Sequence, residues 1–262
     1  MDHIFEKRKP IIGMLHLPAL PGSPRNELSK DAIRHHILKD AEALASGGVD
    51  GMILENFGDV PFYPRRVPAH TVAFMTAIAL EVRRAFDIPL GINVLRNDAE
   101  SGLAIAFATG AQFIRVNIHS GARVTDQGLI EGAAHETLRY HKLLGNEVQI
   151  FADADVKHSA PLGARDLKDE VADLVERACA DAIIITGRAT GKQTAIDDLK
   201  AAKEVAGTIP VFAGSGVGLS DVAKVINIAD GLIVGTAFKV DGITTQSVDV
   251  ERVRKFLSAA RI

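Results

Sequence analysis

A chain of 262 residues with 47% hydrophobic and 24% charged side chains can bury a large core, enough for one α/β barrel or two ordinary domains. A formal charge of -3 supplies no basic field, so no nucleic-acid partner is expected. The single cysteine, Cys179, excludes an intrachain disulfide and a thiolate metal cluster, and fits a reducing, cytoplasmic setting.

The opening MDHIFEKRKP is charged, and the apolar stretch after it is too short for a secretory core or a membrane span. No transmembrane segment is expected, and nothing in the composition bears on peripheral membrane association. Eight short apolar runs follow, at residues 11–17, 51–56, 90–95, 113–117, 148–154, 182–186, 210–214 and 231–235. Each is trailed by a segment of helical period, and no Pro/Ser/Gly-rich linker interrupts them. Unbroken alternation of this kind implies parallel strands with crossover helices, and eight repeats imply closure into a single-domain α/β fold over residues 1–262, a (β/α)8 TIM barrel. An open doubly wound sheet is the competing architecture. It would carry a glycine fingerprint after its first strand, where this chain has LPALPGSP.

The helices announce their ends. Ser29 can cap a helix to about residue 46, stopped by Gly47 and Gly48; others are expected at 69–86, at 98–109 before Gly110, at 194–205 before Gly207, and at 248–260. Cys179 falls in an apolar helical run and is expected to be buried; His135 and His141 read as helical surface residues. Three connections, 18–27, 57–68 and 118–132, exceed the short loops usual in α/β units. All three follow strands, so they crowd the face where barrels place their chemistry.

Strand alternation gives that face its side chains. Glu55 shares a parity with Ile53 and Gly51, Asn93 with Gly91, Asn117 with Arg115, and Asp155 with Asp153 and Phe151. Leu54, Ile92, Ile114, Val116 and Ile150, on the other parity, are aliphatic and suit packing under helices. Buried charge is costly without partners, so function is the economical reason for polar residues at four consecutive strand ends. His16, Glu55, Asp153, Asp155 and Lys157 are the catalytic candidates. The two aspartates together could split acid and base roles, and with Glu55 and His16 could hold a divalent cation, although no cofactor is required. Lys157 could neutralise an oxyanion or, desolvated, act as a base or Schiff-base amine. Asn93, Arg115, Asn117, His158 and Thr186 suit substrate recognition.

The last two strands end in glycine turns, at Gly214, Ser215 and Gly216 and at Gly235 and Thr236. Backbone N–H groups there can approach an anion closely, and the seventh and eighth strands are where barrels hold phosphate. The loop after the sixth strand, with Gly187, Arg188 and Lys192, departs from a nucleotide P-loop in spacing and reads instead as an electropositive flank of that corner.

The runs IIGMLHLPALPGSP, DGMILENFGDVPF, DADVKHS, TGRATG, GSGV and IVGTAFKVDG resemble the BtpA family, which includes photosystem I biogenesis proteins and the SgcQ-type proteins of bacterial sugar operons. The resemblance runs from Ile11 to the C-terminus and implies a barrel of the ribulose-phosphate-binding kind. It brings no reaction with it. The expectation is an enzyme of the isomerase, epimerase or lyase class, or one of glycosidic-bond chemistry, acting on a phosphorylated small molecule, with a sugar phosphate foremost, and organised as a homo-oligomer. The competing expectation is a non-catalytic assembly or regulatory barrel.

Overall fold

The computed structural model describes residues 4–5, 9–186 and 196–261. The first half of the barrel runs β1 (Ile11–His16), α1 (Lys30–Gly47), β2 (Gly51–Glu55), α2 (Ala69–Ala85), β3 (Leu90–Asn93), α3 (Ala99–Thr109) and β4 (Phe113–Val116). After a hairpin, β5 (Ala122–Thr125) and β6 (Gly128–Glu131), come α4 (Ala134–Leu143), β7 (Gln149–Ala154), β8 (Ser159–Pro161), α5 (Leu167–Glu176) and β9 (Ala182–Ile185). The chain closes with α6 (Ile196–Ala206), β10 (Val211–Ala213), α7 (Val222–Ile228), β11 (Gly231–Val234) and α8 (Val250–Ala260). Eight strands pair in parallel in the cyclic order β1-β11-β10-β9-β7-β4-β3-β2, a closed barrel. All eight expected barrel strands are present.

The helix signals act as capping chemistry predicts. Ser29 accepts a hydrogen bond from the Ala32 N–H, and Gly48, at φ 92°, ends α1 by donating to the Leu44 and Ala45 carbonyls. Asp98 and Asp249 cap α3 and α8 through their carboxylates. The expected start of α6 at Thr194 lies outside the described residues.

Two apolar layers follow from strand parity. Leu54, Ile92, Ile114, Val116 and Ile150 pack outward against the helices, while Ile12, Met14, Ile53, Phe113, Phe151, Ile184, Phe212 and Ile233 fill the barrel. The rings of Phe113, Phe151 and Phe212 stack across the floor, with centroids 4.6 and 5.2 Å apart. Gly91 and Gly231 make room for them, since a Cβ at either position would lie 2.3 Å from a phenylalanine ring. That floor fills the lower barrel and leaves only the C-terminal strand ends open to chemistry.

Three expectations fail. Residues 118–132 are not a plain loop: β5 and β6 form an antiparallel hairpin, and β8, from the loop after β7, pairs with β5. The buried Arg123 holds it, bonding Glu170 at 3.0 and 3.1 Å, Ser159 Oγ at 2.6 Å, and Asp155. Four-residue strands were too short for alternation to register. Cys179 is exposed and lies past the end of α5 at φ 50° rather than inside a helix. His141 is buried, not a surface residue, because α4 turns it against the barrel wall.

A buried ion pair closes the chain onto its beginning. Lys239, 1% exposed, donates to Asp40 Oδ2 on α1 at 2.7 Å, and Asp40 Oδ1 accepts the Val248 N–H at 2.8 Å. Replacing Asp40 with Ala strands a buried ammonium and a backbone donor. We expect a loss of about 3–5 kcal/mol, read as a lower urea midpoint at unchanged slope.

Candidate functional site

Backbone register sets the first row of the site. His16 pairs with Glu55 across β1 and β2, and Glu55 with Asn93 across β2 and β3, so three inward side chains stand level on adjacent strands. His16 Nε2 is 3.7 Å from Glu55 Oε1, and its ring stacks on Phe57 with centroids 4.6 Å apart. The row continues through Arg115 on β4, whose Nε and Nη2 donate to the two carboxylate oxygens of Asp153 on β7 at 2.9 and 3.0 Å. Asn117 adds a third bond to Asp153 at 2.8 Å, and Asn93 donates to Asn117 Oδ1 at 3.1 Å. This network is buried and directional, and it fixes the Arg115 side chain at the cavity floor.

Above it lies a cavity of about 560 Å³. Glu55, Arg115 and Lys157 line one side, Gly214, Ser215, Gly216, Val217, Gly235, Thr236 and Ala237 line the other, and His16, on the strand that pairs with β11, stands between them. The glycine turns converge as expected. Gly216 sits at φ 71°, which a side chain would strain. At Gly235 a Cβ would come 2.9 Å from the His16 ring. Among the described residues, the backbone N–H groups of Gly216, Val217, Thr236 and Ala237 have no protein acceptor, whereas Gly214 N–H is already bonded to the Ile185 carbonyl. Arg252 and Lys255 from α8 bring two cations to the same wall. Free N–H donors beside guanidinium and ammonium groups have the chemistry to take an anion, and the carboxylates of Asp221 and Glu251 line the same cavity.

Burial tunes the opposite side. It pushes Glu55 above the usual carboxylate range, against the pull of Arg115 and then Lys157. Burial, reinforced by Arg115, pulls Lys157 below the ordinary amine value. His16 is held well below the imidazole value by burial, then by Lys239 and Lys157, and its buried Nδ1 has no hydrogen-bond partner. Burial alone would lower Arg115, but Asp153 more than offsets it and keeps the guanidinium charged.

The remaining candidates divide. Asp153, Asn93 and Asn117 lie beneath the cavity as supports for Arg115. Asp155 is not paired with Asp153: the backbone turns to φ 48° at Asp155, which leaves the strand alternation, becomes exposed and pairs with Arg123. The expected carboxylate pair is therefore not formed, and among the described residues no three His, Cys, Asp or Glu side chains gather as a metal site. His158, also at positive φ, is exposed and stands outside the cavity lining. Thr186 lies behind Lys157, its Oγ1 accepting the Lys157 N–H at 3.1 Å. Gly187, Arg188 and Lys192 lie outside the described residues.

Sequence reading missed Phe57, Arg96, Lys239, Arg252 and Lys255. The spacing of Arg252 and Lys255, three apart on an amphipathic helix, was a usable signal for one shared face. Nothing local marked the others, whose roles come from contacts across the barrel.

Fold and site together define a (β/α)8 barrel protein with a polar cavity at its strand ends. The chain belongs to the BtpA family, whose model matches residues 7–262. It is 46% identical to the photosystem I biogenesis protein BtpA of Synechocystis sp. over 97% of this chain and 89% of that one. In fold it is similar to N-(5'-phosphoribosyl)anthranilate isomerase from Pyrococcus furiosus, with a TM-score of 0.57, 16% identity, and coverage of 96% and 98% of the two chains. Tryptophan synthase from M. tuberculosis gives a TM-score of 0.62 at 18% identity, covering 97% and 94%. No helix among the described residues is long and apolar enough to cross a membrane.

The raised Glu55 value has a testable sign. The ordinary carboxyl value is 4.5, and the folded value lies above it. Ionising Glu55 thus costs stability: the cost is absent below the unfolded value, grows as pH rises, and is complete above the folded value. Glu55→Gln should raise the melting temperature at pH 8, and the gain should vanish at pH 4.

Proposed function

We propose that this barrel is an enzyme acting on a phosphorylated small molecule, with a sugar phosphate as the best-fitting class and proton transfer of the isomerase, epimerase or lyase kind as its chemistry. One observation carries the reading: a single cavity joins N–H groups without a protein acceptor among the described residues, with Arg252 and Lys255, on one wall to Glu55 and Lys157 on the other, and His16 on β1 stands between them. A phosphate dianion suits the first wall. On the second, a carboxyl shifted up and an amine shifted down have proton affinities brought closer together, which suits proton exchange between substrate and protein. Arg115, locked by Asp153, supplies a fixed positive charge for an oxyanion or hydroxyl of the substrate. In this reading Asp153, Asn93 and Asn117 are positioning residues, and no cofactor is required.

A second reading, a barrel that binds a protein partner during assembly, draws on one surface and one name. Val124, Leu129 and Leu162 are exposed on and beside the three-stranded sheet, and the 46%-identical relative is named for photosystem I biogenesis.

Thermal-shift and calorimetric titration separate the two. Ribose 5-phosphate should stabilise the protein and unphosphorylated ribose should not. Replacing both Arg252 and Lys255 with Ala should weaken that binding by about tenfold or more, on the order of 1.4 kcal/mol, with a smaller difference at high salt. Glu55→Gln should keep affinity within a few fold. If no phosphorylated ligand binds, the enzyme reading is lost and the assembly reading gains; if the double variant binds undiminished, the phosphate does not sit against this wall.

A further inference from the structure

We propose that Lys157 is a nucleophilic amine that forms a Schiff base with the carbonyl carbon of a phosphorylated aldehyde or ketone, with Glu55 as the proton carrier. This rests on the phosphate reading above and narrows its substrate class to carbonyl compounds bearing a hydrogen on the adjacent carbon.

The geometry distinguishes the half-buried Lys157 from the buried cations Arg115, Arg123 and Lys239. Arg115 is bonded to Asp153, Arg123 to Glu170, and Lys239 to Asp40. Lys157 lines the same cavity as Glu55, yet among the described residues no hydrogen bond or ion pair engages its Nζ. Its backbone is clamped on both sides: the N–H donates to Thr186 Oγ1 at 3.1 Å, and the carbonyl accepts from Arg96 Nη2, itself buried, at 2.7 Å. The flanking residues Asp155 and His158 both hold positive φ, at 48° and 57°. Non-glycine residues in the left-handed region are costly, and such outliers concentrate where a side chain must be aimed. Two side-chain clamps and two strained neighbours would be an extravagant way to build a solvated surface lysine. Burial and Arg115 favour the neutral amine, which is the reactive form.

The chemistry balances with the groups present. The Nζ lone pair adds to the carbonyl carbon, making a C–N bond as the carbonyl π pair moves to oxygen, and a proton passes from nitrogen to that oxygen. The Glu55 carboxyl then protonates the hydroxyl, water departs, and the nitrogen lone pair closes a protonated imine. Glu55, now a carboxylate, removes the proton on the adjacent carbon, and the C–H pair moves into the iminium as an enamine. Burial keeps Glu55 able to begin as the acid. Arg96 and Thr186 act as positioning residues.

Two aldehydes test this on the full chain. In the first arm, limiting formaldehyde with a mild borane reductant at pH 7 is followed by peptide mapping. Lys157 should be methylated ahead of the exposed lysines, by about tenfold for each unit of lowered amine pKa. In the second arm, pyridoxal 5'-phosphate followed by borohydride should leave its adduct on Lys157. Inorganic phosphate should compete with it, Lys157→Arg should abolish it, and Thr186→Val should slow it without changing phosphate affinity. Adducts in both arms support the proposal. Labelling by formaldehyde with no preference for the phosphorylated aldehyde keeps the nucleophilic amine and overturns the phosphate reading. Phosphate binding with Lys157 unlabelled in both arms overturns the Schiff base and leaves the phosphate reading standing.

Discussion

The bidentate pair between Arg115 and Asp153 is the interaction on which the rest of the site depends. Neither group could be buried alone at a strand end, because an unpaired charge in that environment costs several kcal/mol, on the order of a domain's whole margin. Together, with Asn117 filling the remaining carboxylate capacity and Asn93 bridging onward, they form a connected polar floor above the stacked phenylalanines. The pair also sets the field above it. Arg115 keeps its charge beside Glu55 and Lys157, opposing the rise of one and reinforcing the fall of the other.

The cavity is assembled from two independent anchorages. The side that carries His16, Glu55, Arg115 and Lys157 hangs from β1, β2, β4 and β7, where the barrel ladder fixes backbone positions. The side built from the glycine turns depends on the segment after β11, which the Lys239–Asp40 pair ties to α1. That pair lies outside the cavity lining, yet it anchors the segment that carries Thr236 and Ala237, which line the cavity. Lys239 also contributes to holding His16 neutral. A stabilising contact and an electrostatic influence thus come from one buried ammonium.

Much of this was legible along the chain, for a reason of scale. Strand parity has a period of two residues, so alternation at Glu55 and Ile53, or Arg115 and Asn117, reports facing directly. Glycines at positions 214, 216 and 235 mark places where a Cβ has no room or the backbone turns left-handed, a constraint local enough to read from composition. The same rule misled at Asp155. Alternation holds only while the strand continues, and β7 ends at Ala154, where a positive φ rotates the next side chain out to Arg123. The hairpin of β5 and β6 was missed because its stability comes from Arg123 reaching Glu170 and Ser159 rather than from an apolar stripe.

Sequence by itself determined the eightfold alternation, the inward row of polar residues and the paired glycine turns, because each is written in neighbours two to four residues apart. Tertiary structure alone decided which of those polar groups are supports and which are open. Asp153 is engaged by Arg115 from 38 positions away, and the Lys157 amine has no partner among the described residues while Thr186 and Arg96, 29 and 61 positions away, clamp its backbone. Pairing partners and burial are properties of the closed barrel. They set the proton affinities on which the proposed chemistry rests, and no local pattern in the chain encodes them.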